Sequence, residues 1–183
     1  MTEPIALKQL AATIGSGGPR ALRQLMGDHP LLVLGISPPC HEAAVEEPTR
    51  TVRLDVGDET HASNKLQPFA LLGSESTVFA VATSPASPFP GVVTVGRAPT
   101  SDIVLESSSV SKLHALIRGS EATEWRLIDN GSLNGSTLNG QSLEAHREYP
   151  LLLSDALSFG GVRGIFLDAP GVCVLLGRVA PKK

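Results

Sequence analysis

Cysteine is nearly missing from this chain: Cys40 and Cys173 stand alone in 183 residues, with no framework spacing. A disulfide scaffold is therefore not expected, and a reduced, cytoplasmic protein is the default reading. A basic excess is missing too. Lys and Arg number 15 against 18 Asp and Glu, for a net charge of −3. Bulk binding to DNA or anionic lipid needs a basic surface, so no nucleic-acid partner is expected, although a local cationic pocket stays possible. Long apolar runs are absent. Leu31–Ile36 is far short of the roughly 20 residues that span a bilayer, so no membrane insertion is expected. The opening MTEPIALKQL lacks a basic n-region, and Gly15 to Gly18 interrupts the apolar stretch, so no signal peptide is expected. His29, Cys40, His41, His61 and His146 show no metal-ligand spacing. Gly15–Gly18 lacks the preceding strand that a dinucleotide fingerprint needs, and no Gly-x-Ser-x-Gly elbow occurs. The expectation is a protein without metal, cofactor or catalytic residues.

Glycine and proline, by contrast, are plentiful, at 18 and 14 residues. Such frequent breaks favour short strands joined by turns over long helices. Residues 4–14 read as a helix, with Pro4 at its first position and Leu7, Leu10, Ala11 and Ile14 on one face. Pro19 opens a second helix that Gly27 stops. Strands are expected at 31–36 and 51–56. A domain boundary is placed in the polar stretch 57–66. Beyond it, strands are expected at 68–73, 77–83, 91–97, 102–106, 113–119, 124–129, 136–138, 141–144, 151–153, 156–160 and 163–168. Asn130-Gly131, Asn134-Gly135 and Asn139-Gly140 are strong turn signals among them. Many short strands at this spacing suggest a β-sandwich, and Pro170 opens a short C-terminal helix through Leu176. The chain divides into an extension at 1–65, a sandwich at 66–170 and a tail at 171–183.

The chemistry concentrates between Gly96 and Gly160. Arg97 ends the strand Val92-Val93-Thr94-Val95, and Gly96 before it lets the backbone bend or pass closely. A guanidinium matches phosphate oxygens as a bidentate fork. Ser111 falls in the loop after the next strand and has a hydroxyl to donate; Lys112 beside it adds a backbone N–H and an ammonium. His114 opens the following strand. A Ser111–His114–Asp129 catalytic arrangement is set aside, and His114 is read as structural, fixing the Ser111 turn. Ser132-Leu133-Asn134-Gly135 lacks the Gly-Lys-Ser/Thr of a nucleotide loop. The Asn134 amide can clamp a peptide N–H and C=O together. Taken singly, each piece also reads as an ordinary surface arginine, polar loop or turn.

Together the fragments resemble the forkhead-associated (FHA) domain. The resemblance rests on Val93-Thr94-Val95-Gly96-Arg97, Ser101-Asp102-Ile103-Val104-Leu105, Val110-Ser111-Lys112-Leu113-His114-Ala115, Leu127 through Ser136, Leu138-Asn139-Gly140 and Leu153 through Gly160. It implies a mainly β fold, an eleven-stranded FHA-like sandwich with a short α-helical N-terminal extension. It further implies a phosphothreonine-peptide-binding module in Ser/Thr kinase signalling, of bacterial type. By position, Arg97 and Ser111 would take the phosphate, Lys112 would support them, and Asn134 would hold the ligand backbone. Leu133 stands where a Thr is frequent, near the pocket for the threonine methyl. Gly96, His114, Ser132 and Gly135 would be structural. The implied partner is a phosphothreonine-containing protein, a Ser/Thr kinase or its substrate. The competing expectation is an adaptor that binds through a sheet face or the N-terminal helices independently of phosphorylation. Thr2 and Thr51, each followed by an aliphatic residue three positions on, raise the further question of self-recognition.

Overall fold

The computed structural model describes residues 4–14, 17–35, 76–83, 89, 91–120 and 123–179. The strands expected at 51–56 and 68–73, and Thr2 and Thr51, lie outside them. Among the described residues there are twelve strands, close to the eleven expected, and three helices. They are β1 (Ile5–Ala6), α1 (Leu7–Ile14), α2 (Gly18–Met26), β2 (Leu31–Gly35), β3 (Thr77–Ala80), β4 (Val92–Gly96), β5 (Ile103–Val104), β6 (Ala115–Ser120), β7 (Thr123–Asp129), β8 (Ser136–Leu138), β9 (Gln141–Ser142), β10 (Glu148–Pro150), β11 (Ala156–Phe159), β12 (Val162–Leu167) and α3 (Ala169–Val179). They form a seven-stranded sheet, β1-β3-β2-β12-β11-β8-β9, and a five-stranded sheet, β10-β7-β6-β4-β5.

Period-two alternation explains how the layers meet. On β12, Val162 and Phe166 join Leu32, Leu34, Val93, Val95, Ile117, Leu127, Leu157 and Phe159 in the core between the sheets. Ile165 and Leu167, of opposite parity, point the other way. They join Leu31, Val33 and Val78 in a second core under the helices, with Leu7, Leu10, Ile14, Leu22, Met26, Val172 and Leu175. The continuous apolar run Leu31-Leu32-Val33-Leu34 is thus a strand buried on both faces. It pairs with β12 on one side and β3 on the other, so a strand from the segment read as an extension lies inside the larger sheet. Among the described residues, no helix is long and apolar enough to cross a membrane.

Three elements depart from the sequence expectation. The first helix starts at Leu7 rather than Pro4, because Ile5 and Ala6 pair with Val78 and Thr77 and the Leu7 N–H bonds the Ser76 carbonyl at 2.7 Å. The strand expected at 151–153 lies instead at Glu148–Pro150, paired with β7. The Asp155 carboxylate accepts the Leu152 N–H at 2.8 Å and folds the leucine run into a turn. The C-terminal helix extends to Val179, its first turn tied by the Gly171 N–H to the Asp168 carboxylate at 2.8 Å.

Candidate functional site

Strand direction brings the motif loops to one end of the sandwich. β4 and β5 run parallel and antiparallel to them runs β6, so residues 97–102, 105–114 and 130–135, together with the β11–β12 turn, share that end. Gly96 is required by a close approach. A Cβ there would sit 2.2 Å from the Lys112 carbonyl oxygen, a backbone atom that cannot swing away. The same crossing is stitched by Arg97 N–H to the Ser111 carbonyl at 2.9 Å and Ala98 N–H to the Lys112 carbonyl at 3.0 Å.

His114 is fully buried and bonded at both ring nitrogens. Its Nδ1 lies 3.0 Å from the Ser111 backbone N, which has only a proton to offer, so Nδ1 accepts. Nε2 therefore carries the proton and donates to the Gly135 carbonyl at 3.2 Å. Burial pushes the imidazole pKa below its ordinary 6.5, outweighing the Gly135 bond and the Asp129 charge, which act upward. In this geometry His114 holds the amide of Ser111, not its hydroxyl, and so is not placed as a base for that serine.

The 130–135 turn hangs from Asp129, which is buried. Its Oδ1 accepts the Ser132 N–H at 2.9 Å, and its Oδ2 accepts the hydroxyls of Ser132 at 2.7 Å and Ser136 at 2.6 Å. Burial alone raises this carboxyl's pKa. The hydrogen bonds from Ser136 and Ser132, with His114 nearby, more than reverse that and hold it below the ordinary 3.8. Gly135, at φ 70°, offers its carbonyl to both His114 and the Gly160 N–H, the latter at 3.0 Å. Gly160 in turn lies against Ser109, where a Cβ would meet the carbonyl oxygen at 2.4 Å.

The ligand-facing candidates sit on this frame. Arg97 is exposed and donates through Nε to the Val110 carbonyl at 3.2 Å. The Ser111 hydroxyl oxygen accepts the Leu133 N–H at 3.0 Å. Asn134 Nδ2 donates to the Ser109 carbonyl at 2.8 Å. Lys112 and Leu133 are exposed. The ion pairs among the described residues are Arg23–Asp28, Arg118–Glu148, Arg126–Glu124 and Arg147–Glu144, so the Arg97 and Lys112 charges are left without a carboxylate partner there. Of the nine residues singled out in the sequence, eight fall in these loops and Gly96 ends β4 beside them. Two contributors were missed. Asp129 as the anchor of the turn was signalled by Asp129-x-x-Ser132, a pattern suited to side-chain-to-backbone turns. Ser109, which meets Asn134 25 positions away and Gly161 52 positions away, had no local signal.

Known proteins share this stretch. Residues 93–160 match the family model of the FHA domain. The oxoglutarate dehydrogenase inhibitor of Corynebacterium efficiens is 39% identical over 77 residues, 42% of this chain and 51% of the relative. The glycogen accumulation regulator GarA of Mycobacterium tuberculosis is 35% identical over 79 residues, 43% of this chain and 46% of the relative. A solved structure of Mycobacterium tuberculosis EmbR in complex with a low-affinity phosphopeptide is 25% identical, with a TM-score of 0.40, over 44% of this chain and 20% of that one. The chain spans about half the length of the curated relatives it matches. The stretch whose loops converge on one end of the sandwich, residues 93–160, thus matches the forkhead-associated domain, and the relatives above that share it are bacterial proteins.

Proposed function

We propose that this chain is a phosphothreonine-peptide-binding module acting in Ser/Thr kinase signalling, in the cytoplasm. The observation that carries the reading is the hydrogen-bond state of Arg97 and Ser111. Ser111 Oγ accepts the Leu133 N–H and so keeps its own proton to donate. Arg97 is positioned through Nε, and the donors on its two terminal nitrogens are left for a phosphate fork. A phosphorylated threonine brings roughly −1.5 to −2 charge and three acceptor oxygens, matched by those donors and by Lys112. Asn134 and Leu133 flank the same spot and would contact the peptide around the phosphorylated residue.

Ser111, His114 and Asp129 lack the proton relay of a hydrolase, and the relatives named above are an inhibitor and a regulator. By that similarity the role is regulatory binding rather than catalysis, with a phosphorylated kinase or kinase substrate as the partner. Calorimetric titration tests it with one peptide in phosphothreonine, phosphoserine and unmodified forms against wild type and Arg97→Ala. Wild type is expected to bind the phosphothreonine form in preference to the other two, and Arg97→Ala to bind it about 10- to 100-fold more weakly. Equal affinity for the phosphorylated and plain peptides would remove the reading.

A further inference from the structure

We propose that Leu133 is a specificity-determining contact for an apolar side chain flanking the phosphothreonine; the inference rests on the phosphothreonine reading above. Leu133 is 89% exposed, the most exposed large apolar side chain among the described residues. It belongs to neither core. Its backbone is nonetheless held by hydrogen bonds at and on both sides of the residue. Ser132 before it is held twice by Asp129, its own N–H is held by Ser111, and Asn134 after it is held by Ser109. A rigid turn therefore presents an unburied leucine one residue from Asn134 and hydrogen-bonded to the phosphate-facing serine.

A scattered exposed leucine needs no explanation. A leucine on a pinned turn, continuous with a peptide-binding site, has a physical use. Little chain entropy remains to be lost when a ligand covers it, so the apolar area it buries is retained as affinity. Leu113, 40% exposed between Lys112 and His114, adds apolar surface at the same end. A peptide passing over Ser111 toward Asn134 must run beside Leu133, and a branched aliphatic residue next to the phosphothreonine would cover it. An acidic or glycine residue there would leave it in water.

The test is a set of phosphothreonine peptides in which each flanking position in turn is Leu, Ala or Asp, titrated against the full chain. One flanking position is expected to prefer Leu over Ala by about fivefold, the scale of partial burial of a leucine pair. In Leu133→Ser the Leu- and Ala-flanked peptides are expected to bind alike, and in Leu133→Met the preference should return. A flat profile in wild type, with phosphothreonine still distinguished from threonine, overturns this inference alone. So does a preference that persists in Leu133→Ser. A concentration-dependent dimer dissolved by Leu133→Ser would assign the side chain to a second copy and equally overturn it. Loss of phosphate discrimination in wild type would instead remove the reading beneath it.

Discussion

At the scale of single residues, the site depends on two kinds of side chain with different jobs. In the proposed reading Arg97 meets the ligand, and its charge-assisted bonds to a phosphate are worth roughly 1.5–3 kcal/mol each. Arg97→Ala should therefore weaken phosphothreonine-peptide binding by about 10- to 100-fold while leaving the melting temperature nearly unchanged, since the side chain is exposed. Gly96→Ala should do the reverse in order of cause. Its Cβ has no room against the Lys112 carbonyl, so the loop must move, at a cost of about 1–3 kcal/mol, and binding falls as a consequence. Chemical denaturation followed by the fluorescence of Trp125, the one tryptophan, separates the two behaviours. His114 adds a pH signature. Its pKa in the folded chain lies below the ordinary 6.5, so the unfolded chain binds a proton first on acidification. Stability from this group is complete above about pH 6.5. It declines as pH falls toward the folded value, by at most about 1.4 kcal/mol per pH unit. The expected measurement is a falling denaturation midpoint between pH 6.5 and 5, with a shallower slope in His114→Asn.

At the scale of elements, turns do most of the positioning. The β8–β9 hairpin closes through Asn139 at φ 51° and Gly140 at φ 82°, the pair of positive angles that a two-residue turn requires. Asn139 also ties this turn to Asp155 and to the Ala156 N–H, at 2.8 and 3.0 Å. This hairpin, the Gly96 close approach and the order of strands from β4 to β12 were legible in the sequence because their signals are local. Dipeptide chemistry and alternation state them directly. The leucine run 151–153 misled because a side chain four residues beyond its first leucine, Asp155, redirects the backbone. Ser109 was invisible because its partners Asn134 and Gly161 come into reach only when three separate loops converge. The Asp129 anchor gives a test at this scale. Asp129→Asn keeps the shape but replaces one acceptor oxygen facing two hydroxyls with a donor. It should cost about 1–3 kcal/mol and loosen the Ser132–Asn134 turn, read as reduced stability together with reduced peptide affinity.

At the scale of the whole molecule, the FHA signature at 93–160 is smaller than the folded unit. β2, β3 and β12 lie outside that range, yet β2 and β12 occupy the middle of the seven-stranded sheet. The helices then cover the far face of the same sheet with Leu7, Leu10, Ile14, Leu22 and Met26. Full burial of such side chains is worth about 1.5–3 kcal/mol each, so as a group they are comparable with the entire stability of an ordinary domain, about 5–15 kcal/mol. Deleting residues 1–30 is therefore expected to unfold or aggregate the chain by exposing Leu31, Val33, Ile165 and Leu167, and circular dichroism would show it. A stable, cooperatively folding deletion would refute this account of the helical layer. The helical layer is thus assigned to the fold and the loop end to the proposed ligand, which allows the two surfaces to be told apart experimentally.

The most direct test of the central claim is a backbone amide NMR titration of the full chain with a phosphothreonine peptide. The account predicts that the largest shifts fall on Arg97, Ser111, Lys112, Leu133 and Asn134, that the unmodified peptide leaves them unmoved, and that the helical layer stays silent. Shifts centred on α1, α2 or a sheet face, or equal shifts from the unmodified peptide, would contradict it.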